Sequence, residues 1–137
     1  MIVNRQRGVR VSLPPLRDFL RRARRAAGAG RREVTVCLVS DPEIARMNRT
    51  FRSKTGPTDV LSFPADDGPR SRGYLGDIAI APAVARRNAR RLGRSLDQEL
   101  RILILHGILH LAGHDHETDH GEMNRLEARL RRRLEIA

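Results

Sequence analysis

The feature that most restricts how this chain folds is the apolar run ILILHGILHLA at residues 102–112. Just before it, Ser95-Leu96-Asp97-Gln98 reads as a capping box with acid in the first turn, so a helix starts there. From residue 102 that helix is apolar nearly all round, and a helix without a polar face has to be buried. His106 and His110 interrupt it, four residues apart. Positions i and i+4 of a helix lie about 40° apart around the axis and about 6 Å apart along it. Both imidazoles therefore point the same way and can share one metal ion.

Geometry limits the choice of a third ligand. His106, His110 and His114 form an i, i+4, i+8 series, which a straight helix spreads over about 12 Å. Zinc–nitrogen bonds are only about 2.0–2.1 Å long, so three rungs of that ladder cannot grip one ion. Gly113 resolves this, because glycine just past a helical run is the usual stop and turns the chain in a left-handed conformation. The third ligand then folds back from the loop, where His114, His116 and His120 contend. The spacing His-x3-His-x2-Gly-x2-His matches the zincin pattern with an extended third histidine, and it selects His116. One position departs from that pattern. Where zincin proteases carry a glutamate base after the first histidine, this chain has Gly107.

Three blocks, MNRTFRSKTGPTDVLSFP at 47–64, LGDIAI at 75–80 and HGILHLAGHDH at 106–116, stand in this order across the middle and C-terminal half. Together they resemble the YbeY-type metal-dependent endoribonucleases that mature ribosomal RNA; the first thirty residues carry little of the signature. The resemblance implies one zinc ion per chain, held by His106, His110 and His116. It also implies a functionally important arginine at Arg52, within FRSK. The activity it implies is single-strand-specific RNA cleavage in small-subunit rRNA 3′-end processing and ribosome quality control. Ribosomal RNA and the ribosomal subunit are then the partners, and the cytoplasm the location.

Composition agrees with such a setting. A chain of 137 residues is expected to form one domain, 1–137, burying about two-thirds of its unfolded surface. Aromatic content of 3% and no tryptophan point to an aliphatic core. No stretch approaches the roughly 18 unbroken apolar residues of a membrane span. The start, MIVNRQRGVRVS, has no apolar signal core, so export is not expected. The single cysteine, Cys37, cannot form an internal disulfide and fits a reducing compartment, where it is read as a small buried residue of the strand VTVCLV.

The formal charge of +11 is unevenly placed. Residues 1–54 carry 14 basic and 4 acidic side chains, whereas residues 55–137 carry 13 and 12. So one-sided a field favours a polyanionic partner and steers its approach, which marks the basic N-terminal half as the expected RNA-binding region. All the basic residues but Lys54 are arginine, whose planar fork suits bidentate phosphate contact.

Along the chain, residues 2–12 read as a first strand. Pro14 and Pro15 open an amphipathic helix to about residue 27, with Leu16, Phe19, Leu20 and Ala23 on one face. Residues 34–39 form an apolar strand, and Ser40-Asp41-Pro42 starts another helix. Short strands at 60–63 and 74–80 are joined through the polar, glycine-bearing residues 65–73 as a wide hairpin. A basic helix covers 81–91. The last helix starts near Asp119, with Glu122 completing a second capping box, and buries Met123, Leu126, Leu130 and Leu134. The predicted fold is α+β: about four strands in one mixed sheet, packed with about five helices, with the metal site on the buried helix and the turn after it.

Three neutral imidazoles leave a zinc ion its full charge and a fourth position open to water, whose pKa then falls to about 7. Such a cation also polarises a phosphoryl oxygen, and Arg52 is placed as a second clamp on the phosphate. Asp115 and Glu117 flank His116, and either orients a ligating imidazole or acts as a base; Asp115 serves equally well as a cap for the turn. His114 is a general base or a wet loop histidine. Asp77 interrupts an apolar strand, as a strand-end cap or as a site residue. Two other readings compete with an RNA-cleaving enzyme. One is a zinc hydrolase of another substrate, such as a peptidase, which Gly107 opposes. The other is a non-enzymatic ribosome-binding factor whose zinc is structural.

Overall fold

Described over residues 1–65, 73–114 and 118–136, the computed structural model holds four strands and five helices. They run β1 (Ile2–Asn4), α1 (Leu13–Ala26), β2 (Glu33–Leu38), α2 (Asp41–Arg52), β3 (Val60–Pro64), β4 (Tyr74–Ile80), α3 (Pro82–Leu92), α4 (Leu96–Leu111) and α5 (Glu122–Arg133). The sheet order is β1-β2-β4-β3. β1, β2 and β4 are parallel, and β3 pairs antiparallel with β4 at the edge. The α+β class, the mixed four-stranded sheet and the five helices agree with the sequence reading.

Local signals account for the helices. Pro14 and Pro15 sit in the first turn of α1, where their missing N–H groups have no helical partner to lose. Ser40 accepts a hydrogen bond from the Glu43 N–H and so caps α2. Each helix then lays an apolar stripe on the sheet or on another helix. α1 buries Leu16, Phe19, Leu20 and Ala23, as the periodicity predicts.

The sheet separates two apolar layers. Val34, Val36, Leu38, Ile78 and Ile80 point to the face covered by α1 and α4 and are wholly buried. Leu61 and Ala79 point to the other face, where Ile44 of α2 meets them. α4 lies at the centre of the larger layer, in contact with β3, β4, α1, α3 and α5. Ile104, Leu105, Ile108 and Leu109 lose all contact with solvent, each contributing about 1.5–3 kcal/mol of burial. Gly107 lets this helix approach the sheet closely, since a Cβ there would stand 2.7 Å from Ile78 Cδ1 and 2.9 Å from its Cγ2. Ser62 of β3 donates to the Gly107 carbonyl, 3.4 Å away. No helix among the described residues is long and apolar enough to cross a membrane.

Some boundaries depart from the sequence reading, each for a local reason. The first strand stops at Asn4 instead of continuing to residue 12. The Gln6 side chain bonds Asn4 Oδ1, the Val9 carbonyl and the Val9 N–H, satisfying locally what a ladder would otherwise satisfy. Only half of the Ser95 capping box forms. Ser95 Oγ accepts from the Gln98 N–H at 3.1 Å, but the Gln98 amide turns to the Ile136 carbonyl near the C-terminus. α5 begins at Glu122, three residues later than predicted. Asp119 still caps it, accepting from the N–H groups of Gly121 and Met123, while Glu122 accepts from the His120 N–H. β3 and β4 pair as the hairpin reading expects; residues 66–72 lie outside those described.

Candidate metal centre

His106 and His110 face the same way from the last two turns of α4, as their spacing requires. Their Nε2 atoms stand 3.0 Å apart and the ring centroids 4.6 Å, with planes inclined at 76°. Two nitrogens held by one tetrahedral zinc ion would stand about 3.3 Å apart, so the pair needs little adjustment to bind in common. On the far side of the His106 ring, Nδ1 lies 2.7 Å from Glu127 Oε1 of α5. A carboxylate there accepts the Nδ1 proton and leaves the Nε2 lone pair directed toward His110. Both side chains of this contact are mostly buried, His106 28% and Glu127 18% exposed. The donor set thus fits a borderline metal such as zinc: two imidazole nitrogens, one oriented by a carboxylate.

Gly113 ends α4 as predicted, in the left-handed region with φ of 100°. The Gly113 N–H bonds the His110 carbonyl and the His114 N–H bonds the Leu109 carbonyl, each at 3.0 Å. This pair of bonds is a Schellman motif, and it turns the chain back immediately after the second histidine. His114 is half-buried within that turn, and His120 is exposed at the approach to α5. His116, Asp115 and Glu117 lie outside the described residues. Among those described, no three His, Cys, Asp or Glu side chains gather into a metal-binding group.

Glu127 is the residue that sequence reasoning missed. It falls four residues after Met123 and three before Leu130, in the middle of the stripe that α5 buries. A carboxylate at the centre of an apolar stripe requires a partner, and that was the available signal. Its partner is 21 residues away in the chain, so only helix packing identifies it.

Arg52 and Asp77 are on the other side of the sheet from the histidines. Arg52 is the last residue of α2 and is exposed. Ser53 after it adopts a left-handed conformation, φ 55°, and Asn48 is buried with its amide on the Gly56 carbonyl. These contacts fix the chain reversal at the arginine. Phe51 meets Phe63 edge-on at 5.1 Å on this face, while Gly107 lies against Ile78 and Ser62 from the opposite one. The edge strand β3 therefore stands between Arg52 and the histidine pair.

Asp77 pairs in register with Phe63 and Thr35, and its carboxylate accepts a hydrogen bond from the Tyr74 hydroxyl. The Tyr74 phenol is raised above its ordinary range, by burial first and then by this bond. Cys37, expected to be buried, is half-exposed beside them. Burial raises its thiol above the usual range and the nearby Asp77 charge adds to the effect, so it stays protonated at neutral pH.

Comparisons with known proteins identify the family to which this fold belongs. A profile of the family described as Endoribonuclease YbeY matches residues 3–135. A protein of that name from Koribacter versatilis is 52% identical over 136 residues, covering 99% of this chain and 86% of its own. One from Solibacter usitatus is 46% identical over 121 residues, covering 88% and 78%. The solution structure of TM1509 from Thermotoga maritima superimposes with a TM-score of 0.66 at 31% identity, over 98% of this chain and 89% of the other. The chain belongs to the endoribonuclease YbeY family.

Proposed function

We propose that this protein is a single-strand-specific, zinc-dependent endoribonuclease that acts in ribosomal RNA maturation and ribosome quality control in the cytoplasm. The observation that carries the reading is the pair of imidazole nitrogens 3.0 Å apart, backed by Glu127. Membership of the endoribonuclease family supports the enzyme class and RNA as substrate. His116, from the same His-x3-His-x2-Gly-x2-His spacing, is the proposed third ligand. When bound, the metal supplies a Lewis acid for a phosphoryl oxygen and a source of hydroxide near neutral pH.

The chain's own groups do the rest. Glu127 accepts the Nδ1 proton of His106, which fixes the ring and its tautomer with Nε2 toward His110. Arg52 is proposed to meet the phosphate whose charge grows during cleavage, by charge-assisted bonds across the edge of β3. The excess of basic residues in 1–54 draws the polyanion in. A peptidase reading loses its base. The residue after the first histidine packs against Ile78, and a side chain at Gly107 would run into the sheet.

The test is cleavage of single-stranded RNA by purified protein, with metal content measured on the same sample. His110→Ala is expected to lose both bound zinc and cleavage. If it cuts as fast as the parent protein once contaminating nuclease is excluded, the assignment fails. Product ends then identify the attacking group: a cyclic phosphate marks the RNA 2′-hydroxyl, a 5′-phosphate marks water.

A further inference from the structure

Arg52, proposed to meet the phosphate, ends α2 with its side chain exposed. Among the described residues its guanidinium meets no carboxylate, so its place is set chiefly by its backbone. That backbone is unusual. Ser53, directly after it, has φ of 55° and ψ of 31°. Among the described residues only Ser53 and Glu135 enter the left-handed region without being glycine. A residue with a Cβ disfavours that conformation, which persists only where surrounding contacts hold it. Much of the hold comes from one residue. Asn48, one helical turn before Arg52, is 4% exposed although its side chain is polar. Its backbone carbonyl accepts from the Lys54 N–H at 3.2 Å, and its Nδ2 donates to the Gly56 carbonyl at 3.0 Å. Two positions of the reversal are thus tied to a single buried point. A buried amide is costly unless its hydrogen bonds are made, so Asn48 resists leaving this arrangement. On the other side of Arg52, the Phe51 ring meets Phe63 edge-on and ties the turn to β3.

We infer that Asn48 is a positioning residue for RNA cleavage: by tying residues 54 and 56 to the buried side of α2, it fixes where the Arg52 guanidinium meets the phosphate. An apolar side chain would fill the same buried space and leave the reversal free to open. The inference rests on the reading of Arg52 as a phosphate contact. It adds that the contribution of this arginine depends on a side chain that never touches the RNA.

The test is a double-mutant cycle between Asn48→Ala and Arg52→Ala, read as kcat on single-stranded RNA, with zinc content and melting temperature measured on each protein. Asn48→Ala is expected to lower kcat by about 10- to 100-fold at the parent's zinc content, the scale for a working group misplaced by about 1 Å. In the Arg52→Ala background the same change should lower kcat by less than about twofold, because the group it positions is gone. Gly56→Ala attacks the bond from its other end. The added Cβ meets no atom within 4 Å, but a φ of 90° is strained for alanine, so the loop shifts while the core stays intact. It should show the same pattern, and it decides the matter if Asn48→Ala does not fold. Parent kcat in Asn48→Ala and Gly56→Ala, with Arg52→Ala impaired, overturns the inference alone. So does a loss that multiplies in the Arg52→Ala background, the signature of a purely structural residue. Parent kcat in Arg52→Ala overturns the phosphate reading of Arg52 and the inference with it.

Discussion

Removing the Glu127 carboxylate tests the proposed metal centre without touching a proposed ligand. Glu127 Oε1 lies 2.7 Å from His106 Nδ1, and both side chains are mostly shielded from water. In Glu127→Ala the Nδ1–H loses this acceptor, so the ring is freer to turn away from His110. Partners of this kind contribute about 10–100-fold to metal affinity, equivalent to about 1.4–2.8 kcal/mol. Glu127→Gln keeps an acceptor oxygen without the charge, so its loss should fall between parent and alanine. The assay is competition for zinc against a chelator of known affinity, with a melting curve of each metal-free protein alongside. Leaving a mostly shielded N–H without its acceptor costs about 1–3 kcal/mol, so the metal-free variants are expected to melt at a lower temperature but to remain folded. If Glu127→Ala holds zinc within about twofold of the parent while His110→Ala loses it, the carboxylate does not orient the ligand and the reasoning is refuted.

Two further outcomes follow from the packing and from Cys37. Gly107→Ala should destabilise the protein by about 1–3 kcal/mol despite alanine's better helix propensity, because the new methyl stands within 3.0 Å of three Ile78 carbons. A melting temperature equal to or above the parent's would show that α4 can lift from the sheet. Cys37 should be alkylated more slowly than an unfolded thiol at neutral pH, because burial raises its folded pKa. A raised thiol pKa favours the folded state below the unfolded pKa, and that advantage fades as pH rises through the folded value. Alkylation rates measured against pH should therefore climb later in the folded protein; a coincident profile would contradict the burial argument.

How well the chain could be read depended on how local each signal was. Pro14 and Pro15 placed the start of α1, Ser40 that of α2 and Ser95 that of α4, because capping and proline effects act within one turn. The left-handed turn at Gly113 was equally legible, since few other residues adopt that conformation cheaply. The half-formed Ser95 box was not, because the competitor for Gln98 is the Ile136 carbonyl, 38 residues away.

By itself the sequence determined the apolar helix, the shared direction of His106 and His110, and the excess of cations in its first 54 residues, all consequences of spacing along one segment. Tertiary structure alone decided the strand order, the pairing of Glu127 with His106, and the side of the sheet on which Asp77 and Arg52 stand. Those depend on which distant segments bury their apolar faces together. Strand register then sends alternate residues to opposite faces, so a single pairing choice placed Asp77 beside Phe63 and away from the histidine pair.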